Sequence, residues 1–348
     1  VKLSSDQLEL QDLLRRFFAD AVPSEYLRKR MVSGARCDDS LYASLSQLGL
    51  EEGFGGSEAS FGFAELSVVA EEVGRSLFPE PVLERLLGDA LLPRMISDAA
   101  RAPLMKLGTR SAFAPSHGSK LSVNKKKGVV SGDISWAFGV EGADRIFAPV
   151  CDGSKSGYIA FSLTQPGVVV TPTTSLDLTM PLSQVVLKNV NALFFDDADS
   201  ALVEDLIEIV KASEVYGITA RVIEMTTEYV KTREQFSVPL GAFQAVQQRL
   251  ADGYAASESL GALCRFAAWS VEGAPDQRRL TARAAVSHAA EVGPLVCESA
   301  IQCHGGIGFT WEYDLHLLLR RAKVIQAGFG LNGERAEELI RRAKASAS

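Results

Sequence analysis

The sequence predicts an α+β chain in three successive parts. These are an N-terminal α-helical domain at 1–103, a middle antiparallel β-barrel or sandwich domain at 104–198, and a C-terminal four-helix bundle at 199–348. Three observations carry this prediction. Apolar residues recur at helical spacing in the first and last stretches, and short β-prone runs broken by turn residues fill the middle. The alternating strand–helix pattern of a doubly wound sheet is absent.

In the first part, Leu3, Leu10, Leu13, Leu14, Phe17 and Phe18 trace one helical face, and Phe63, Leu66, Val69, Ala70 and Val73 trace another. Gly49, Gly53, Gly55 and Gly56 interrupt the pattern between them, and Pro79 and Pro81 end it. The middle part holds Arg145–Val150, Tyr158–Phe161 and Val168–Thr171 as strands, with turns such as Cys151-Asp152-Gly153-Ser154. Lys125-Lys126-Lys127-Gly128 reads as a solvated hairpin turn. In the last part Asp199 or Ser200 caps a helix running to about 233, roughly 50 Å long at the α-helical rise. Its predicted inner face is Leu202, Leu206, Ile209, Ser213, Tyr216, Ala220, Ile223 and Val230. A second helix is expected over 244–272 with Val246, Leu250, Tyr254, Leu260, Cys264 and Val271 inward. A third runs from an Asp276 cap to His304-Gly305-Gly306, and a fourth covers 314–326.

Composition narrows the function. The chain has 348 residues, 47% hydrophobic and 23% charged, which is globular. A net charge of −7 argues against nucleic acid as the main partner. No apolar run reaches the roughly 20 residues that span a bilayer, and the mixed-charge start does not read as a secretory signal. The cysteines Cys37, Cys151, Cys264, Cys297 and Cys303 form no CxxC pair, which suits a reducing cytoplasm. With only His117, His288, His304 and His316 beside them, no metal site is expected.

Gly328, Gly330 and Gly333 spell G-x-G-x-x-G, but too little chain follows for a second strand and its acidic ribose ligand. Cys303 and His304 are neighbours about 100° apart on a helix, so they do not form a nucleophile pair. Two longer segments carry more. In Arg233-Glu-Gln235-Phe236-Ser237-Val-Pro239-Leu240-Gly241-Ala-Phe243-Gln244 a guanidinium, polar side chains and a helix start come together, which suits a diphosphate. In Gln302-Cys303-His304-Gly305-Gly306-Ile307-Gly308-Phe309-Thr310-Trp311-Glu312-Tyr313 glycines let backbone NH groups approach a ligand.

In this order and spacing the two segments resemble the acyl-CoA dehydrogenase family, whose signatures are R-x-Q-F-G-x-P-L-G-x-F-Q and Q-x-x-G-G-x-G-F-x-x-E-Y. Ser237 is the one departure, standing where the family prefers glycine. Leu48-Gly49-Leu50 and Glu71-Glu72-Val73-Gly74 are similar to the family's N-terminal domain. The resemblance implies α,β-dehydrogenation of an acyl-CoA thioester with FAD: a glutamate takes the α-proton and the flavin takes the β-hydrogen as hydride. It also implies that Arg233, Gln235, Phe236, Leu240, Phe243, Gln302, Gly305 and Gly306 grip the ADP half of a neighbouring subunit's FAD, with Trp136 beside the ring. An electron-transfer flavoprotein would take the electrons.

Against that pattern the catalytic base is unknown. Phe329 occupies the usual glutamate position, and Ile207 the position used by a branched-chain subgroup. Glu204 and Glu208 are the nearest carboxylates on the long helix. Trp136-Ala137-Phe138 replaces a W-x-T/S segment and loses its hydroxyl, and Ala114-Pro115-Ser116-His117-Gly118-Ser119 is a shortened remnant of the T-E-P-x-x-G-S-D loop. The sequence therefore points to a subunit without its own base that completes the FAD site of a second acyl-CoA dehydrogenase-like chain, as in the heterotetramers of bacterial steroid-type enzymes. Two other readings stay open: a homo-oligomeric dehydrogenase using Glu204 or Glu208, and a flavin-free scaffold on the same fold.

Overall fold

Helix α1 (Ser5–Ala21) starts where Ser4 closes a capping box: its hydroxyl accepts from the Gln7 NH at 3.2 Å, and its own NH donates to Gln7 Oε1 at 3.0 Å. After α2 (Ser24–Ser33), Asp38 caps α3 (Asp39–Ser46) by accepting from the NH groups of Ser40 and Leu41. There follow α4 (Leu50–Gly55), α5 (Phe63–Ser76), α6 (Val82–Arg85), a π-helical turn at Leu86–Leu91, α7 (Leu92–Met95) and α8 (Asp98–Met105). The strands are β1 (Ser111–Phe113), β2 (Ser119–Asn124), β3 (Val129–Phe138), β4 (Arg145–Asp152), β5 (Lys155–Ser162), β6 (Val168–Thr173), β7 (Leu182–Asn191) and β8 (Leu193–Phe194). Then come α9 (Asp197–Thr232), a hairpin of β9 (Glu234–Gln235) and β10 (Val238–Pro239), α10 (Gln244–Gly273), α11 (Pro275–His304) and α12 (Leu315–Phe329). The structure, a computed structural model, describes residues 2–33, 38–55, 60–115, 118–152 and 155–329. None of its described helices is long and apolar enough to cross a membrane.

The chain groups into two compact units, Val1–Lys29 with Ser67–Phe78 and Glu208–Ser348, and Arg30–Leu66 with Pro79–Ile207. In the second unit the strands form one sheet in the order β6-β7-β3-β1-β4-β5-β8, with β2 on β3. Every pairing is antiparallel except that of β1 with β4, where Ser111 lies opposite Arg145. The lysine run at 125–127 forms the exposed turn between β2 and β3. Strand alternation separates two faces: Ile146, Ala148, Ile159, Phe161 and Val185 build one apolar core, while Phe113, Phe147 and Phe195 stack at 5.0 and 6.0 Å on the other side. Arg145 is fully buried, donating to Ser111 Oγ and to the carbonyls of Gly88, Leu104 and Gly108, with the Asp89 carboxylate 3.8 Å from Nη2. It thereby ties the helical segment of this unit to its sheet. Asp199 and Ser200, expected as caps, lie inside α9 instead. The Asp199 carboxylate accepts from the NH and hydroxyl of Ser97, and Ser200 Oγ accepts from the Tyr158 NH.

In the first unit α9 is a central rod. From Glu208 to Thr219 every residue is buried, so the helix has no solvent face there, contrary to the one-sided pattern expected. Its charges are neutralised within the unit. Glu208 pairs with Arg283, and Glu214 takes Lys211 at 2.9 Å and Arg321 at 3.0 Å. Burial alone would raise the Glu214 pKa, but the two cations outweigh it and hold the carboxyl below its usual range. Helix α5 crosses α9 at Gly74 and Gly217, where an added Cβ would lie 1.9 Å from the Glu214 carbonyl and 1.7 Å from the Glu71 carbonyl. α10 packs along α11 and α11 along α12. Leu260, Cys264 and Val271 of α10 face inward as expected, but Tyr254 is 56% exposed.

Candidate functional site

The last turn of α9 and the end of α11 are fastened together by aromatic rings. Tyr229 stacks on the His304 imidazole at 4.1 Å and its hydroxyl donates to the His304 carbonyl at 3.4 Å, while Tyr313 tilts against the same imidazole at 4.8 Å. This contact brings both sequence segments to one end of the first unit, because Arg233 follows Tyr229 by one turn and Gly305 follows His304. His304 Nδ1 lies 2.8 Å from the Ala300 carbonyl, which fixes its proton there, and burial pushes the imidazole pKa down. Burial also pushes the half-buried Cys303 thiol up, so neither residue of this pair is poised as a nucleophile.

Beyond Arg233 the chain turns through the β9–β10 hairpin. Both turn residues are left-handed, Phe236 at φ 54° and Ser237 at φ 65°, and the Leu240 NH closes back onto the Arg233 carbonyl at 2.8 Å. The expected glycine at position 237 thus has a conformational reason, and serine holds the position at some strain. Arg233, Gln235 and Phe236 are exposed, the last to 89%. Phe243 meets Phe236 edge-on at 6.3 Å, and Leu240 and Phe243 are partly covered. At the end of α11, Gln302, Gly305 and Gly306 are exposed. Gly305 sits at φ 64° and ψ −142°, a conformation close to the glycine-only region. A Cβ on either glycine would meet nothing within 4 Å, so the backbone faces open space. Val238, Ile307, Phe309 and Trp311 add an exposed apolar rim of the kind that marks an interaction surface.

Trp136 belongs to the second unit. It sits where the β3–β7 register shifts between Ile134 and Ala137, half-buried, with its ring edge-on to Phe138 at 5.4 Å. Gly118 closes against it, since a Cβ there would lie 3.0 Å from the indole Nε1. Phe138, at the position of the missing hydroxyl, is 1% exposed. Ser116 and His117 of the shortened loop lie outside the described residues.

Of the base positions, Phe329 ends α12 at 1% exposure and offers no proton acceptor. Glu204 lies partly exposed near the start of α9, whereas the Glu208 carboxylate is buried on the Arg283 guanidinium. Gly328 and the preceding Val324-Ile325 are helical, and Gly330 and Gly333 lie outside the described residues, so no strand leads into this glycine pattern. Sequence reasoning missed the Tyr229–His304–Tyr313 cluster. The available signal was spacing: Tyr229 stands one helical turn before Arg233, and His304 directly before the glycines.

Known proteins resemble this chain in sequence and in fold. The sequence profile described as acyl-CoA dehydrogenase, C-terminal domain, matches residues 209–344. Acyl-CoA dehydrogenase IpdE2 of Mycobacterium tuberculosis is 30% identical over 302 residues, covering 85% of this chain and 84% of that protein. Acyl-CoA dehydrogenase FadE34 of the same bacterium is 29% identical over 299 residues, but this chain spans only 40% of its length. Among solved structures, a variant of the Tcur3481-Tcur3483 steroid ACAD superposes with a TM-score of 0.85 at 26% identity over 99% of both chains. The ChsE4-ChsE5 complex of Mycobacterium tuberculosis gives 0.80 at 25% identity, over 99% of this chain and 98% of that one.

Proposed function

The chain belongs to the acyl-CoA dehydrogenase family, and from that premise we propose that it is the base-less subunit of a heteromeric acyl-CoA dehydrogenase, completing the FAD site of a second family member. The observation that carries this reading is the pairing of an open glycine backbone at Gly305 and Gly306 with a buried phenyl group at Phe329. The first is what a diphosphate needs and the second removes the proton acceptor. Two similar structures bear paired names, Tcur3481-Tcur3483 and the ChsE4-ChsE5 complex, the first called a steroid ACAD, which supports a second subunit and a bulky, steroid-derived acyl-CoA thioester.

When bound, FAD supplies hydride acceptance. The chain's own residues bind and orient it. Arg233 offers a forked set of donors to a diphosphate, and the backbone of Gly305 and Gly306 admits the same group without a side chain in the way. Gln235 and Gln302 supply neutral hydrogen bonds, while Phe236, Leu240 and Phe243 exclude water. Trp136 would flank the ring system of this chain's own half-site. Electron-transfer flavoprotein as the acceptor, a cytoplasmic location and the division at 1–103, 104–198 and 199–348 belong to the same proposal.

The test is to purify the chain alone and together with a candidate acyl-CoA dehydrogenase-like subunit, and to record flavin absorbance. Flavin is expected only in the joint preparation, and Arg233→Ala should lower its retention by about tenfold, the effect of losing one charge-assisted contact. Full flavin in the chain alone, bleached by an acyl-CoA and dependent on Glu204, would establish the self-sufficient reading instead. A flavin-free joint preparation would leave a scaffold.

A further inference from the structure

A cavity of about 460 Å³ opens in the first unit, apart from the hairpin end, between α1, α5, α9 and α12. That volume lies in the range of small-molecule sites. Its floor is apolar, with Phe18, Val22, Leu77, Met225 and Leu318. The rest of its lining carries charge: Arg15, Arg75 and Arg221 against Glu72 and Asp314.

Pairing of these groups leaves a remainder. Arg15 is used, donating through Nε and Nη2 to the two oxygens of Glu72 at 3.2 and 2.7 Å. Asp314 is used by Arg28 at 2.6 Å and by the Ser24 hydroxyl. Arg75 donates to Glu224 Oε2. Among the described residues Arg221 pairs only with that same oxygen, at 3.7 Å, too far for a hydrogen bond. Within 4 Å three guanidinium groups therefore share two carboxylates, with Asp12 reaching Arg15 only at longer range, and the least engaged is Arg221, a half-exposed fork of donors, 45% accessible, above an apolar floor.

We propose that this cavity binds a small monocarboxylate with an apolar body, its carboxylate on Arg221 and its body against Leu77, Met225 and Leu318. One negative charge balances the surplus, and planar carboxylate geometry matches the guanidinium fork. The cavity lining shares no residue with the hairpin end, although Asp314 adjoins Tyr313 of the ring cluster.

Isothermal titration of the chain with octanoate, octanol and acetate tests this. Octanoate should saturate one site, with octanol and acetate each weaker by about tenfold or more. Arg221→Met should weaken octanoate by about tenfold and Arg221→Lys by less, while Arg249→Met, which lines a different pocket, leaves it unchanged. Met225→Trp, which fills the floor, should abolish binding even where the charge is intact. Equal affinity for octanoate and octanol, or octanoate binding indifferent to both Arg221→Met and Met225→Trp, overturns the proposal. So does the absence of saturable binding.

Discussion

At the hairpin end of the first unit the backbone is uncovered, and around Trp136 in the second unit it is filled. Gly305 and Gly306 face open space beside exposed Arg233 and Gln235, whereas Phe138 packs its ring on Trp136 and Gly118 closes on the indole. An open glycine turn keeps its backbone accessible at a cost in chain entropy and exposed apolar rim. A buried phenyl group gains packing and gives up a hydrogen-bonding hydroxyl. Two regions of one chain can therefore differ in kind: one leaves its backbone open at an exposed surface, while the other is packed as core.

The largest test of that contrast is on the filled side. Phe138→Thr restores the family hydroxyl but empties a core position, and should lower stability by about 3 kcal/mol in urea denaturation. A cost near zero would mean that the region around Trp136 is open after all and would erase the contrast. On the open side, Gly305→Val forces a side chain into a near glycine-only conformation at a strain of about 2 kcal/mol. Flavin retention in the joint complex should drop roughly thirtyfold, read by absorbance after desalting, with the circular dichroism unchanged. The smallest effect should come from Ser237→Gly, which relieves a left-handed serine and should raise stability by about 1 kcal/mol without reducing flavin retention.

Much of this was legible beforehand. The periodicity predicts α10 at 244–272, where it spans Gln244–Gly273, and α12 at 314–326, where it spans Leu315–Phe329. Long periodic segments bounded by glycine and proline leave little freedom. The parallel pairing of β1 with β4 was not legible, since strand partners are chosen by packing across the sheet rather than by local pattern. Nor was the all-round burial of α9 between Glu208 and Thr219. Glu208, Lys211 and Glu214 look like a solvated face in sequence, because Arg283 and Arg321, which neutralise two of them, lie far along the chain. At the site, the signatures located Arg233, Gln302 and the glycines on one end of the bundle, but the ring cluster that holds that end together is a tertiary contact.

The crossing of α5 and α9 has a consequence for variation. At Gly74 and Gly217 not even a methyl group fits, because the obstacle on each side is a helix carbonyl rather than a movable side chain. In a saturation library these two positions should admit no replacement at all, although neither lines the cavity beside Arg221 or the hairpin end. Their neighbours Glu71 and Glu214 are then pinned in register, and a compensating change at one glycine cannot rescue the other. Invariance at this pair would thus record steric exclusion between two backbones, and a reader ranking positions by intolerance would have to set it aside before looking for chemistry.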